Sequence, residues 1–502
     1  MPGALNSTSM TAIASPSIHN LIGGKWVSSN GPAGIELKNP ATGEPLGQSP
    51  EGTAADVDAA VKAAHAAFAS WREVPAVDRV QYLFKLKMLL EEHLDELARL
   101  ITIENGKTLA ESKGELRRGI ENVEVACGIP VLMQGYSLEN VAPGIDEIMV
   151  RQPLGVCAVI TPFNFPLMIP LWFIPYAIAT GNTVVLKPSD RVPFSAARLL
   201  ELLQETGIPD GVVNLVNGGK AAVDGILDHP LVRAVSFVGS TPVAKYVYSR
   251  GSASGKRVQC QGGAKNHVVV LPDADPETTT KIIADSAFGC AGQRCLAVSV
   301  TVTVGEAKNW FREAISTAAS SMKVGDGLDA GTQMGPVITQ ASRERVLSLI
   351  GQGAEQGARA IVDGRSKTVN GGAGSFVGPT VLDGLPAASP LMETEIFGPV
   401  LSVVHAESVE EAVAMIDRSA YGNASSIFTS SGAAARKFRT AVSTGNVGIN
   451  IGVPAPMPYF PFSGWKGSFF GVMHAQGRDA VEFFTDKKVI VERWPKEWSR
   501  KF

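Results

Sequence analysis

The sequence predicts an α/β protein built on two open, largely parallel sheets, and three observations carry that expectation. Hydrophobic residues make up 45% of the 502, charged residues 19%, and 52 are glycine, a composition suited to buried parallel strands joined by tight turns. At this length one core stops growing, so about two or three domains are expected. Short apolar runs alternate with segments of helical spacing, which implies strands joined by crossover helices.

The elements follow in chain order. The first sixteen residues contain no arginine or lysine and so lack the basic residues of a secretory or mitochondrial leader. Residues 1–17 are therefore expected to form a disordered tail, and the protein to be cytoplasmic. From Ala54 to Leu100 apolar residues return every three or four positions, as Val57, Val61, Ala64 and Phe68 and then Leu83, Leu86, Leu90 and Leu94. This is the spacing of amphipathic surface helices. Strands are expected at 156–160, 183–186, 212–216 and 234–238, which places 18–134 and 154–260 in one domain. The most apolar stretch, 165–180, contains Pro166, Pro170 and Pro175 and is shorter than the roughly 18 residues of a membrane helix, so it reads as core. A second set of strands, at 267–271, 298–304, 359–362, 400–405, 426–429 and 446–450, makes 261–479 a second α/β domain. Residues 136–152 and 489–494 fit neither set, and the second of these has no obvious strand partner nearby. Residues 135–153 and 480–502 are expected to form a small β arm that pairs across subunits, because an uncovered strand edge invites association.

Charge and cysteine usage narrow the function. The net charge of −3 is interspersed, with no basic stripe for nucleic acid or an anionic membrane. Five cysteines, an odd number without paired short spacings, read as reduced thiols. Seven scattered histidines form no HExxH pattern, so no metal is expected.

Four segments can carry chemistry. In FGCAGQRCLA, Cys295 follows a glycine turn beside Arg294, which can stabilise a thiolate; on its own, though, a buried cysteine is usually a small core residue. In ITPFNFPLMI, Asn164 sits among apolar residues just after a strand. Its amide, with the backbone N–H of the cysteine, suits an oxyanion hole, or it simply bonds its own turn. GNTVVLKPSD puts Lys187 at the carboxyl end of a strand, where open sheets bind ligands. Lys187 can hydrogen-bond a ribose there, with Ser189 and Asp190 bordering adenosine, and Asp190 would repel a 2′-phosphate and favour NAD over NADP. SFVGSTPVA is again strand, turn and helix, a place for a pyrophosphate at a helix N-terminus.

Taken together and in this order, these segments resemble the aldehyde dehydrogenase superfamily, from about Leu21 to Trp494. The resemblance implies that family's fold, with two Rossmann-like domains and an oligomerisation arm. It implies Cys295 as nucleophile, Asn164 as oxyanion donor, Lys187 at the adenosine ribose, and Gly239 and Ser240 at the pyrophosphate. Glu395 and Phe397 of the EIFGPV motif are implied at the nicotinamide half, and Thr161 and Phe163 are counted with the cofactor site. One departure stands out: Cys260, in CQGGAKNH, occupies the place of the family's water-activating glutamate. A thiol with an ordinary pKa of about 8.5 is a poor base at neutral pH, so no carboxylate is expected near the thioester.

GAKNH, AGQRC and GINIGVPAPMPYFPFSGWKGSFFG are similar to the methylmalonate-semialdehyde dehydrogenase group, also active on malonate semialdehyde. That similarity implies NAD as cofactor, coenzyme A as acyl acceptor, decarboxylation to acetyl-CoA or propionyl-CoA, and a homotetramer assembled from dimers. Arg118 and Arg294 are implied as a pair gripping the substrate carboxylate, since guanidiniums suit that task. Pocket volume near Phe163, Phe165, Trp172 and Phe462 is expected to set the choice between the two semialdehydes. Two other readings stay open: hydrolysis to a free acid, with Cys260 or a water chain assisting, and a non-catalytic scaffold.

Overall fold

Two open sheets and a small third one organise the described residues, 18–494, of this computed structural model. The expected tail at 1–17 and the end of the expected arm, 495–502, lie outside the described residues. The first sheet runs in the order Lys25–Val27, Asn20–Ile22, Val213–Leu215, Thr183–Lys187, Val156–Ile160, Val232–Val238, Arg257–Gln261 and Phe469–Phe470. Its five strands from Val213–Leu215 to Arg257–Gln261 are parallel. The chain moves outward from Val156–Ile160 in one direction, then returns to its other side at Val232–Val238. Such a reversal opens a crevice at the carboxyl ends of the two neighbouring strands.

Both faces of this sheet are covered, which is why its strands are apolar throughout rather than alternating. Val156, Ala158 and Ile160 pack with Val57, Val61 and Ile226, while Cys157 and Val159 between them pack with the other face's cluster, which includes Leu171, Phe173 and Leu199. The apolar segment of the sequence forms the helix Met168–Ala179, buried on every side, as expected of core. The helix Ala54–Trp71 starts at a capping box in which Thr53 and Asp56 satisfy each other's main-chain N–H groups.

The second sheet runs Arg359–Val362, Thr380–Asp383, Val400–Ala406, Val298–Val304, Asn266–Val270, Ala424–Phe428, Asn446–Ile449, with only the first pair antiparallel. Thr380–Asp383 was not among the expected strands: four residues following Gly378 and Pro379 are too short to show a period. Phe469–Phe470, from a stretch expected to lie wholly in the second domain, joins the first sheet beside Cys260 and Gln261.

The C-terminal strand needs a correction, because it does have a partner nearby. Thr485–Arg493 pairs antiparallel with Ile145–Pro153 along its whole length of 9 residues, and Tyr136–Ala142 completes the third sheet. Distance in sequence concealed a contact that the fold makes within one chain.

Truncating Phe173, which is fully buried in the central helix, is expected to lower unfolding free energy by about 3–5 kcal/mol for Phe173→Ala. Urea denaturation checks this, and a loss under about 1 kcal/mol would contradict the packing described.

Candidate active site

The carboxyl ends of Val156–Ile160, Thr183–Lys187 and Val232–Val238 open into a cleft of about 760 Å³. One wall comes from three successive loops of the first sheet: Thr161, Phe163 and Asn164; Lys187, Ser189 and Asp190; Gly239 and Ser240. The opposite wall carries Cys295, Glu395 and Phe397 from the loops that precede Val298–Val304 and Val400–Ala406. The fold therefore gathers every expected site residue except Arg118 and Arg294.

The loop bearing Cys295 is shaped by its backbone. After the helix Pro276–Phe288, Cys290 and Ala291 take left-handed φ values of 50° and 52°, and Gly292 follows at 71°. A Cβ at Gly292 would lie 2.1 Å from the Gly398 carbonyl oxygen, so a side chain there is excluded. Two asparagines then hold the Cys295 carbonyl: Asn266 Nδ2 and Asn423 Nδ2 each donate to it at 2.8 Å. Asn164 Nδ2 crosses from the first domain and donates to the Gln293 carbonyl at 2.9 Å.

At rest the Cys295 thiol is neutral. Burial, and then the negative charge of Glu395, push its pKa up to about 12, against the opposing main-chain N–H groups of Cys295 and Leu296. Arg294 does not relieve this, which corrects its expected role beside the thiolate. Its Nε donates to the Cys290 sulfur at 3.2 Å, and Nη2 donates to Glu111 Oε1 at 3.1 Å. Neighbouring side chains leave the loop in different directions, so adjacency in sequence placed the cation on the wrong sulfur.

The expectation that no carboxylate lies near Cys295 is also corrected, since Glu395 shares the cleft and its field reaches the thiol. Glu395 Oε1 accepts from the Ala264 N–H at 2.9 Å, and Oε2 lies 2.4 Å from where a Cβ on Gly263 would stand, so glycine makes room for it. Burial pushes the carboxyl up to about 7, against the Ala264 N–H and the charges of Lys265 and Arg345. Arg345 holds the loop itself, donating to the carbonyls of Ile396 at 2.6 Å and Glu395 at 2.7 Å. Phe397, at φ 53°, sets its ring edge-on to Phe163 with centroids 5.9 Å apart.

The rim on the first-domain side suits a dinucleotide. Thr161 Oγ1 is buried without a hydrogen-bond partner. Burial pulls the Lys187 ammonium below its usual range, with Asp190 opposing the shift. The helix Thr241–Ala253 begins at Ser240 with no side-chain cap on its free N–H groups. A sugar-phosphate chain would supply the acceptors these groups lack.

Other expected residues fall elsewhere. Arg118, on the helix Leu109–Ala126, donates to Glu121 at 2.9 Å, the Pro456 carbonyl at 2.6 Å and the Met457 sulfur at 2.8 Å. Phe163 and Phe165 line the cleft, whereas Trp172 and Phe462 pack on each other in the core with centroids 4.6 Å apart. Cys260 is core, and burial holds its thiol protonated. Among the described residues no three His, Cys, Asp or Glu side chains gather as metal ligands, and no helix is long and apolar enough to cross a membrane. Asn266, Asn423 and Arg345 were missed; polar residues at buried strand starts were the available signal for the two asparagines.

Residues 26–490 match the aldehyde dehydrogenase family model. A malonate-semialdehyde dehydrogenase of Bacillus thuringiensis subsp. konkukian is 49% identical over 487 residues, covering 97% of this chain and 100% of its own. One from Geobacillus kaustophilus is 50% identical over 95% of this chain and 98% of its own. The crystal structure of a methylmalonate-semialdehyde dehydrogenase from Oceanimonas doudoroffii superposes with a TM-score of 0.94 at 47% identity, covering 96% of this chain and 99% of that one. A protein of Sinorhizobium meliloti 1021, assigned to the same enzyme type and solved with NAD, gives 0.95 at 43% identity over 97% and 99%.

A thiol held near 12 is nearly all protonated at neutral pH, and its thiolate fraction rises about tenfold per pH unit. Iodoacetamide alkylation of Cys295 without cofactor is therefore expected to climb from pH 7 to 10 with no plateau. Glu395→Gln, which removes the opposing charge, is expected to speed alkylation at each pH. A plateau near pH 8 in the unmodified protein would contradict this electrostatic account.

Proposed function

The chain belongs to the aldehyde dehydrogenase family, and from that premise we propose that it oxidises malonate semialdehyde or methylmalonate semialdehyde through a thioester on Cys295. The acyl group then loses carbon dioxide and passes to coenzyme A, giving acetyl-CoA or propionyl-CoA. The relatives named for these substrates support the reading, and so does the convergence of Cys295, Asn164 and an uncapped, orphan-lined rim on one cleft.

NAD, when bound, accepts the hydride; Thr161, Lys187, the Gly239–Ser240 turn, Glu395 and Phe397 would hold it. The rest falls to the chain. The Cys295 thiol gives its proton to water, its sulfur bonds the aldehyde carbon, and the C=O π pair moves onto the oxygen. The resulting oxyanion meets the Cys295 N–H and the second N–H of the Asn164 amide, the first being spent on Gln293. Loss of hydride from that carbon leaves the thioester. A malonyl thioester carries its carboxylate β to the carbonyl, so the C–C bond electrons pass into an enolate that takes one proton and becomes acetyl. The coenzyme A thiol then attacks the carbonyl and expels the Cys295 thiolate.

The observation that carries transfer to coenzyme A is the strand end at Cys260 and Gln261. Cys260 is buried in the core with its thiol protonated, and Gln261, four residues before Lys265, rather than Cys260, stands in the place of the family's water-activating glutamate, so neither offers a base. Glu395 favours a second reading, since a carboxyl near 7 in the same cleft is suited to general-base hydrolysis. Steady-state NADH formation separates the two. Without coenzyme A it is expected to stop after about one equivalent per site. Undiminished turnover would establish hydrolysis and overturn the acylating reading.

Arg118 and Arg294 stay within the proposal as readers of the substrate carboxylate, each exchanging a present partner for it. At Arg118 that exchange replaces main-chain carbonyls and a sulfur with a charged acceptor. Arg118→Gln is expected to raise KM for the semialdehyde roughly tenfold or more while leaving KM for NAD unchanged. Equal effects on both would remove Arg118 from the substrate site.

For assembly, the outer strand Thr485–Arg493 exposes Val489 and Val491, and the sheet edge Asn446–Ile449 exposes Ile449 with Ile451 beside it. These edges suit strand pairing between copies, in keeping with a homotetramer assembled as a dimer of dimers; a cytoplasmic location is part of the same proposal.

A further inference from the structure

A group of buried polar side chains outside the proposed chemistry lies behind the Asn164 loop. Lys107 and Glu115 form an ion pair 2.6 Å long whose side chains are 1% and 0% exposed. The same Lys107 Nζ donates to the Asn164 main-chain carbonyl at 2.6 Å and stands 4.2 Å from the centre of the Phe165 ring. Glu115 Oε1 accepts from the N–H groups of Leu167 at 2.9 Å and Met168 at 3.1 Å. Asn105 Nδ2 donates to the Phe163 carbonyl at 2.9 Å. Asn105 on one side and the Lys107–Glu115 pair on the other thus tie down the main chain before and after Asn164.

Stability alone does not account for this pair. Moving two charges out of water costs about as much as their attraction returns, so a buried pair is a weak stabiliser. Its directional contacts are more informative: both charges end on the main chain of the loop whose amide reaches into the other domain. Displacing a catalytic group by about 1 Å can cost roughly 100-fold in rate.

We propose that Lys107, locked by Glu115, is a positioning residue for Asn164, fixing the main chain from which its amide reaches Gln293 and the oxyanion. This rests on Asn164 serving as oxyanion donor in the proposed function. Lys107 touches no substrate and acts only through that loop.

The test compares Asn164→Ala, the pair Lys107→Met with Glu115→Gln, and all three changes together. Replacing both charges leaves no unpaired ion in the core, and the Gln carbonyl can still accept from Leu167 and Met168. The readouts are the single-turnover burst of NADH at saturating NAD and semialdehyde, and NAD affinity by calorimetry. Asn164→Ala is expected to slow the burst about 100- to 1000-fold. The clamp variant is expected to slow it about 10- to 100-fold while NAD affinity stays within about twofold. Added to Asn164→Ala, the clamp changes are expected to slow the burst no further, because the group they position is gone. Multiplying effects, a normal burst in the clamp variant, or a burst lost in step with NAD affinity would overturn the clamp while leaving the oxyanion role intact. A normal burst in Asn164→Ala alone would instead overturn the oxyanion assignment, and the clamp with it.

Discussion

The amide of Asn164 bridges the two halves of the site. Asn164 belongs to the first sheet and Cys295 to the loop leading into the second, and the bond from Asn164 Nδ2 to the Gln293 carbonyl spans the gap. Oxyanion stabilisation needs donors fixed within a few tenths of an ångström before the reaction starts. The two loops are accordingly held from behind on both sides. Asn266 and Asn423 grip the Cys295 carbonyl, and Lys107 grips that of Asn164. Glu111 links the two supports: Oε1 accepts from the Cys290 N–H at 2.6 Å and from Arg294, while its other oxygen accepts from Thr108 at the start of the same helix as Glu115.

Electrostatics make this preorganised site quiet at rest. The proposed nucleophile, Cys295, is a neutral thiol, and Glu395, whose pKa is near 7, shares the cleft with it. Such a site does not react indiscriminately with electrophiles. A positive charge entering the cleft would lower the thiol's pKa, as would removal of the Glu395 charge.

Much of this was legible in the sequence, and the exceptions share one cause. Val156–Ile160 and Val298–Val304 were placed to the residue because the first is a continuous apolar run and the second, VSVTVTV, alternates valine with serine and threonine. Asn164 and Gly239 follow strands and Lys187 ends one, so their place at the carboxyl ends that line the cleft was readable from the strand pattern. What escaped depends on contacts between distant segments. Glu115 lies on the polar helix Leu109–Ala126 and Lys107 just before its start, where charges normally face water, and the packing of this segment against the Asn164 loop and Met168–Ala179 buries them. Arg294 was misread because proximity along the chain was taken for proximity in space. The C-terminal strand lacked a partner only until the chain folded back on Ile145–Pro153.

The account stands or falls on an acyl group resting on one sulfur. Intact-protein and peptide mass spectrometry after mixing the enzyme with NAD and malonate semialdehyde, without coenzyme A, would observe it. An acetyl group on the peptide that carries Cys295, removed when coenzyme A is added, is the predicted result. An unmodified Cys295 despite NADH formation, or an acetyl group that persists in the presence of coenzyme A, would contradict it.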